Sequence, residues 1–255
     1  MHVILTGATG LVGSGALDAM IKMKEITKIS VLSRRPVKMA EDVKDPRVNV
    51  IIHKDFEKYD SELLSQLKGA SGCVWALGIS QTQVGKEEYV KITKDYALAA
   101  SKAFQTLATE QEPFNFVYVS GGGVTTEPGR FTAIYSRVKG EAELALAEMR
   151  KANPIFHASS IRPAFVDAAA HDAIRPYVSS PNLVYKVLMP VLGPPIRIGM
   201  RWAWSPTEEL GRFMTEMAMG RYKNQFTQGK DIQMIGEFPI LENSAFRRLA
   251  GLDRK

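Results

Sequence analysis

The stretch Thr6-Gly7-Ala8-Thr9-Gly10-Leu11-Val12-Gly13 lies between a short apolar run and a segment with apolar residues at helical spacing. The run Val3–Leu5 predicts a strand, and Leu11–Met23 predicts the helix that follows it. Three glycines at GxxGxxG spacing suit this junction: the first permits a tight turn, the second lets the backbone approach a pyrophosphate, and the third allows close helix packing. The helix amino terminus would present free N–H groups to the phosphates. The stretch therefore predicts a dinucleotide site formed by Gly7, Thr9, Gly10, Leu11, Val12 and Gly13.

The end of the second predicted strand indicates which dinucleotide is bound. An NAD-binding protein usually places an acidic residue here, which accepts a hydrogen bond from the ribose 2′-hydroxyl. This chain instead has Ser33, Arg34 and Arg35, which supply hydroxyl and guanidinium donors for a 2′-phosphate. The sequence therefore predicts NADP(H) in preference to NAD(H).

Strand-length apolar runs alternate with helix-period segments along the first two thirds of the chain. Predicted strands after the first are Ile29–Leu32, Val48–His53, Cys73–Leu77, Phe116–Ser120 and Phe156–Ile161, and predicted helices are Asp60–Leu67, Lys86–Thr109 and Ala133–Arg150. Short apolar runs are typical of strands buried on both faces of a parallel sheet, and the alternation implies right-handed crossovers. The pattern predicts an α/β fold of the Rossmann type with a doubly wound parallel sheet.

The alternation stops after Arg162, where prolines punctuate the chain. We expect one domain, in which residues 1–166 form the cofactor core and residues 167–255 a small substrate-side extension. A helix is predicted to begin with Ser205 as N-cap, Pro206 at its first position and Glu208 closing a capping box. The remaining expectations are a helix end near Met219 at Gly220, a strand at Ile232–Ile235 and a last helix at Leu241–Leu249.

Composition narrows the function classes. The 255 residues suit one large α/β domain, and the single cysteine, Cys73, excludes an intrachain disulfide framework and an all-cysteine metal site. The net charge of +6 is spread along the chain without a nucleic-acid motif, so we expect no nucleic acid partner and no metal. The apolar segment Leu183–Ile198 is interrupted by Lys186 and prolines, which argues against an integral membrane span and leaves peripheral contact open. A strand beginning at His2 leaves no room for a leader, so a cytoplasmic location is expected, with mitochondrial or membrane-peripheral placement as alternatives.

Tyr135 and Lys139 carry the predicted chemistry, four residues apart on one helix face. The pKa of a free tyrosine is about 10, and a nearby ammonium together with an oxidised nicotinamide favours the phenolate. Tyr135 could then donate a proton to a carbonyl during its reduction. Ser120 ends the fifth predicted strand, at the sheet edge where ligands of open α/β folds bind. We expect it to hydrogen-bond both the substrate carbonyl and the Tyr135 hydroxyl.

These motifs resemble the short-chain dehydrogenase/reductase superfamily, in its atypical or extended form. The stretches that carry the resemblance are TGATGLVG at 6–13, VLSRRP at 31–36, DYALAASKAF at 95–104, YVSGGG at 118–123 and YSRVKGEAE at 135–143. The likeness covers residues 1–166 well and the remainder loosely. It is greatest to the branch of the human Tat-interacting protein and its fungal mitochondrial-type homologues.

The resemblance implies further roles. Lys139 would also bind the nicotinamide ribose, and the other implied cofactor contacts are Asp55 and Phe56 at the adenine, Ala76, Leu77 and Gly78 at its ribose, and Pro163, Ala164 and Val166 at the carboxamide. Thr93 stands where the family often has a relay asparagine, with Asp95 two residues on. This departure puts a full catalytic tetrad in doubt and leaves Ser120, Tyr135 and Lys139 intact.

The substrate side is predicted to come from residues 79–84, the loop after the fifth strand, and residues 165–205. The last of these contains Phe165, Tyr177, Tyr185, Met189, Met200, Trp202 and Trp204, which favour an apolar or aromatic carbonyl substrate. The two tryptophans could equally cover the sheet edge or an interface, and a monomer and a homodimer both remain open. The leading function is an NADPH-dependent carbonyl reductase. The alternatives are an NADP(H)-binding regulatory protein without turnover and a nucleotide-sugar epimerase or dehydratase.

Overall fold

The computed structural model describes residues 1–178 and 199–253. Its main sheet has eight strands: β1 (His2–Thr6), β2 (Lys28–Ser33), β3 (Val48–Ile52), β4 (Ala70–Trp75), β5 (Phe114–Val119), β6 (Phe156–Arg162), β9 (Ile232–Ile235) and β10 (Phe238–Glu242). Their order is β3-β2-β1-β4-β5-β6-β10-β9, and every pairing is parallel except that of β10 with β9. Two further strands, β7 (Phe165–Asp167) and β8 (Trp204–Pro206), pair in parallel outside this sheet. The predicted Rossmann-type α/β fold is confirmed.

Helices cover both faces of the sheet. They are α1 (Leu11–Lys22), α2 (Lys38–Val43), α3 (Ser61–Leu67), α4 (Lys86–Val90), α5 (Tyr96–Phe104), α6 (Ile134–Ala152), α7 (Thr207–Ala218) and α8 (Asn243–Leu249). Alternate strand residues face opposite cores, as Val3 and Leu5 pack with α1 and α7, while Ile4 packs with α5 and α6. A strand buried on both faces needs apolar residues at nearly every position, which explains the continuous apolar runs in the sequence.

Two predicted helices differ from those of the structure. The helix predicted at Lys86–Thr109 is interrupted by a π-helical turn, Lys91–Asp95, and it ends in a 3₁₀ turn, Gln105–Leu107. The start of the last helix was also predicted wrongly, because Leu241 belongs to β10 and the helix begins at Asn243. Strand β10 lies beside β6, with Ile240 opposite Ser160.

The N-cap predicted for α7 is wrong. Ser205 lies in β8, where its Oγ donates to Asn243 Oδ1 at 2.6 Å and accepts from the Ala164 N–H at 3.0 Å. Tertiary partners therefore use the hydroxyl that would have capped α7, and Pro206 takes the N-cap position. Glu208 closes no capping box and instead lies 3.3 Å from Lys22 Nζ. The predicted end at Gly220 is confirmed, with its φ at +75°.

The apolar segment Leu183–Ile198, with Tyr185 and Met189, lies outside the described residues. Within the ranges that are described, no helix is both long and apolar enough to cross a membrane.

Candidate active site

The glycine-rich stretch forms the junction between β1 and α1. Gly7 has a φ of +71°, and a Cβ at this position would lie 2.3 Å from the Ala76 carbonyl oxygen, so only glycine fits against the end of β4. Gly10 is exposed and is the N-cap of α1, whose first turn carries no acidic residue and no side-chain cap. A Cβ at Gly13 would lie 2.1 Å from the Gly7 carbonyl oxygen, which shows how closely helix and strand approach. The amino end of α1 therefore fits a phosphate group, with Thr9, Leu11 and Val12 part-buried around it.

The predicted 2′-phosphate residues lie at the carboxyl end of β2. The Ser33 Oγ donates to the Arg35 carbonyl oxygen at 2.6 Å, which closes the turn. Arg34 and Arg35 extend from this turn with exposed side chains. Within residues 1–178 and 199–253, neither guanidinium is paired with a carboxylate. Both cations are therefore available to an anionic ligand.

The two residues predicted to contact adenine differ in exposure. Asp55 is exposed, and its Oδ1 accepts from the Glu57 N–H at 3.1 Å. The Phe56 ring is fully buried and stacks on Tyr96 with ring centres 5.9 Å apart. A contact between Phe56 and a nucleotide would therefore use the backbone. The predicted ribose contacts follow β4, with Ala76 and Leu77 part-buried and Gly78 exposed.

The three predicted catalytic residues meet around residues 119–123. The Lys139 Nζ donates to the Ser120 carbonyl oxygen at 2.8 Å and to that of Val119 at 3.3 Å. The Tyr135 hydroxyl donates to the Gly122 carbonyl oxygen at 3.4 Å. A Cβ at Gly123 would lie only 2.8 Å from the oxygen of this hydroxyl. The predicted bond between Ser120 and Tyr135 is absent from this arrangement, because the tyrosine uses the Gly122 carbonyl.

The Ser120 hydroxyl is the clearest sign of a ligand site. Its Oγ is buried and has no hydrogen-bond partner among the described residues. A buried hydroxyl without a partner costs about 1–3 kcal/mol, so such groups call for an explanation. Its position at the carboxyl end of β5 fits a hydroxyl that binds a substrate oxygen.

The Lys139 ammonium lies against the carbonyl oxygens at the end of β5 and is shielded from water. Burial lowers its pKa from 10.5 to about 8, and the nearby Glu143 carboxylate acts in the opposite direction. The amine is therefore mainly charged at neutral pH. This ammonium lies one turn from Tyr135 on the same face of α6.

The structure separates the two residues weighed for the relay position. Thr93 is buried in the π-helical turn, and its carbonyl oxygen accepts from the Tyr118 hydroxyl at 3.0 Å. Asp95 is exposed and thus lies away from the buried interior.

The nicotinamide-side residues adjoin the glycine loop. The Pro163 carbonyl oxygen accepts from the Gly122 N–H at 2.8 Å, and Ala164 follows next to the same glycine. Val166 is part-buried in β7. On the substrate side, Trp204 Nε1 donates to Asp167 Oδ2 at 3.1 Å, which supports a structural role for this tryptophan, whereas Trp202 is 66% exposed.

Sequence reasoning placed residues 79–84 on the substrate side but missed the contact that one of them makes with Tyr135. Gln81 Oε1 accepts from the Tyr135 N–H at 3.1 Å and so caps the first turn of α6 from the loop after β4. A glutamine in a loop gives no local signal for this contact, because the partners lie 54 positions apart. A separate cavity of about 560 Å³ is lined by residues such as Arg150, His157 and Glu237, none of which belongs to the site.

The chain has fungal relatives, although no family model matches it. It is 35% identical over 258 residues to leucinostatins biosynthesis cluster protein T of Purpureocillium lilacinum, a match covering 94% of this chain and 90% of that protein. It is 39% identical over 157 residues to botcinic acid biosynthesis cluster B protein 16 of Botryotinia fuckeliana, covering 61% and 99%. It is 30% identical over 143 residues to the mitochondrial protein fmp52 of Emericella nidulans, covering 56% and 58%.

Solved structures share the fold at low identity. The reductase domain of PhqB from Penicillium fellutanum superposes with a TM-score of 0.64 at 13% identity, covering 86% of this chain and 64% of that one. A double mutant of the dTDP-glucose 4,6-dehydratase DesIV from Streptomyces venezuelae, with NAD bound, gives 0.63 at 15% identity, covering 99% and 80%. The fold is thus shared with reductases and dehydratases. The match at 35% identity over nearly the whole of both proteins shows that the chain belongs to the family of leucinostatins biosynthesis cluster protein T.

Proposed function

We propose that this protein is an NADPH-dependent oxidoreductase that reduces a small apolar or aromatic aldehyde or ketone. One observation carries the proposal: the partnerless Ser120 hydroxyl, the Tyr135 hydroxyl and the Lys139 ammonium converge on residues 119–123. This edge of the sheet also holds the amino end of α1, with the unpaired Arg34 and Arg35 at the end of β2.

The bound cofactor would supply a hydride to the carbonyl carbon of the substrate. The Ser120 Oγ donates a hydrogen bond to the substrate oxygen and holds it near Tyr135. Tyr135 then transfers its hydroxyl proton to that oxygen, so that the carbonyl becomes an alcohol and the tyrosine a phenolate. The Lys139 ammonium stabilises the phenolate by its charge. Gln81 keeps the first turn of α6 in place while the proton moves.

The decisive experiment follows NADPH oxidation against a panel of aliphatic and aromatic aldehydes, ketones and quinones. Tyr135→Phe should abolish most turnover while NADPH still binds. Tyr222→Phe is the matched control, because it removes a hydroxyl that donates to Glu216 and has no part in the site. Turnover that survives in Tyr135→Phe would overturn the assignment of the proton donor. Tight NADPH binding without turnover of any compound would favour a regulatory protein.

The preference for NADPH rests on Arg34 and Arg35, since guanidinium groups bind phosphate oxygens with charge-assisted hydrogen bonds. Replacing both by alanine should weaken NADPH binding about 10-fold or more and leave NADH binding nearly unchanged. Arg175→Ala, at an exposed ion pair with Asp172, is the control. Equal affinity of the unaltered protein for NADPH and NADH, measured by calorimetry, would refute the preference.

The proposal extends to domain organisation. The extension supplies β10, which lies in the same sheet as β6 of the core, so both parts should unfold together. Urea unfolding followed by tryptophan fluorescence and by circular dichroism should give coincident transitions. Two separated transitions would contradict a single domain.

A cytoplasmic location is proposed for the protein, and the name of the fmp52 relative supports the mitochondrial alternative. Cell fractionation with compartment markers decides between them.

A further inference from the structure

A buried ion pair lies one helical turn beyond Lys139. Glu143 is fully buried on α6, and Arg162 is 5% exposed at the end of β6. Two parallel contacts join them, from Arg162 Nη2 to Glu143 Oε2 at 2.6 Å and from Nε to Oε1 at 3.1 Å. The Ser160 hydroxyl donates to the same carboxylate at 2.8 Å. The proposed mechanism gives neither charged residue a role.

The spacing connects this pair to the site. Tyr135, Lys139 and Glu143 follow one another at intervals of four, so they share one face of α6. Lys139 attaches this face to the end of β5, and Glu143 attaches it to the end of β6. Arg162 directly precedes Pro163, whose carbonyl oxygen binds the glycine loop. The ion pair therefore joins the helix that carries the proton donor to the loop beside it.

We propose that Glu143 and Arg162 are positioning residues: their ion pair holds α6 against β6 and places the Glu143 carboxylate one turn from the Lys139 ammonium. This inference rests on the proposed function, which gives Lys139 its role. The pair touches no reacting atom in that scheme and acts through Lys139 and Tyr135.

The charges around Lys139 make the proposal specific. Titratable groups face this region from several elements: Tyr135 and Glu143 on α6, Arg162 on β6, Glu242 on β10, Tyr118 on β5 and Tyr89 on α4. Burial raises the pKa of both Tyr118 and Tyr89, so these two stay neutral. Loss of the Glu143 charge would leave Arg162 paired with Glu242 alone, at 2.7 Å, and lower the pKa of Lys139. Loss of the Arg162 charge would leave a carboxylate unbalanced and raise it.

The test measures Lys139 directly, by NMR titration of cofactor-free protein labelled with ¹³Cε-lysine. Lys139→Arg identifies the resonance. We expect Glu143→Gln to lower the Lys139 pKa by about one unit, Arg162→Gln to raise it by a similar amount, and the double variant to titrate near the unaltered protein. The proposal would be overturned if the Lys139 pKa changed in the same direction in both single variants, or changed in neither. Damage to packing alone would not shift this pKa in opposite directions in the two variants.

Removing one partner of a buried ion pair leaves an uncompensated charge, so a single variant can fail to fold. Glu143→Asp and Arg162→Lys are then used in place of the glutamine variants, because both keep the charge. The aspartate withdraws the carboxylate by one methylene, and the lysine cannot form the two-point contact. Smaller pKa changes of the same opposite signs are expected, and equal signs would again overturn the proposal.

The titration requires no turnover, which separates this inference from the proposed function. An unaltered titration with normal turnover would overturn the positioning role alone. Absence of turnover would count against the reductase, and the NMR result would still stand. In an active enzyme, the alkaline limb of the kcat profile should move with the Lys139 pKa in each variant, with KM changed less than kcat.

Discussion

The energetic cost of burying Lys139 gives the sharpest prediction about stability. Its pKa falls from 10.5 in a free side chain to about 8 in the folded protein, mainly through burial. At about 1.4 kcal/mol per pKa unit, the charged form destabilises the folded state by about 3 kcal/mol. Below pH 8 both folded and unfolded chains hold the proton, so the full cost is present. Between pH 8 and 10.5 the unfolded chain binds more protons, so the stability of the unaltered protein rises with pH until the cost is gone.

Lys139→Met removes the charge at every pH. It also removes hydrogen bonds to the carbonyl oxygens of Ser120 and Val119, each worth about 1 kcal/mol. The variant should therefore be about 1 kcal/mol more stable than the unaltered protein at pH 7. It should be about 2 kcal/mol less stable at pH 10.5, since only the lost hydrogen bonds count there.

The assay is urea unfolding of cofactor-free protein at intervals from pH 7 to 10.5, followed by tryptophan fluorescence. Lys151→Met is the matched control, because Lys151 is exposed on the same helix, and its stability difference should stay flat with pH. A difference between Lys139→Met and the unaltered protein that is also flat with pH would refute the reasoning. It would mean that the ammonium is solvated and is not held at a lowered pKa.

Three further changes test the site and its support. Gly123→Ala should lower kcat about 10-fold or more and leave NADPH affinity unchanged, because a Cβ would lie 2.8 Å from the Tyr135 hydroxyl; equal losses in both would contradict this. Arg47→Ala should cost about 2–3 kcal/mol in urea unfolding, since its guanidinium binds carbonyl oxygens at and beyond the end of α1, and a change near zero would refute that role. His171→Ala should cost about 2 kcal/mol, because the buried ring bridges α1 and α7, and an unchanged midpoint would show that the bridge is dispensable.

The sheet could be predicted from local patterns because β1, β3, β4 and β5 each contain at least three consecutive apolar residues. Strand β10 escaped prediction for a specific reason. Pro239 interrupts the run, and a proline argues against a central strand because it donates no ladder hydrogen bond. In the structure the pairing with β6 starts one residue later, at Ile240, so the missing N–H falls before that ladder. The pairing partner, which the local pattern does not contain, made the strand possible.

In the candidate site, too, some features follow from local sequence and others from the packing of distant elements. The glycine stretch and the Tyr135–Lys139 spacing are contiguous, so their geometry follows from one turn and one helix. The contact of Gln81 with Tyr135 and the pair of Glu143 with Arg162 depend on how distant elements pack. Ser205 shows the opposite error, in which a valid local capping signal lost to tertiary hydrogen bonds. Local chemistry therefore predicted the residues of the site, and packing supplied the residues that hold them.

Helix α6 shows how the fold tolerates this chemistry. One stripe of the helix carries the part-buried Lys139 and the fully buried Glu143, at positions where charges are unfavourable. The neighbouring stripe contributes Ala142 and Leu146 to an apolar core that includes Phe114 and other aromatic rings of β5 and β6. Each fully buried large apolar side chain stabilises the fold by about 1.5–3 kcal/mol, so one or two of them offset the cost of the ammonium. The aromatic core on this face of the sheet thus holds α6 in place although the helix carries the Lys139 ammonium at a position shielded from water. A charge kept there acts on the neighbouring Tyr135 hydroxyl with less screening than a charge in open solvent would.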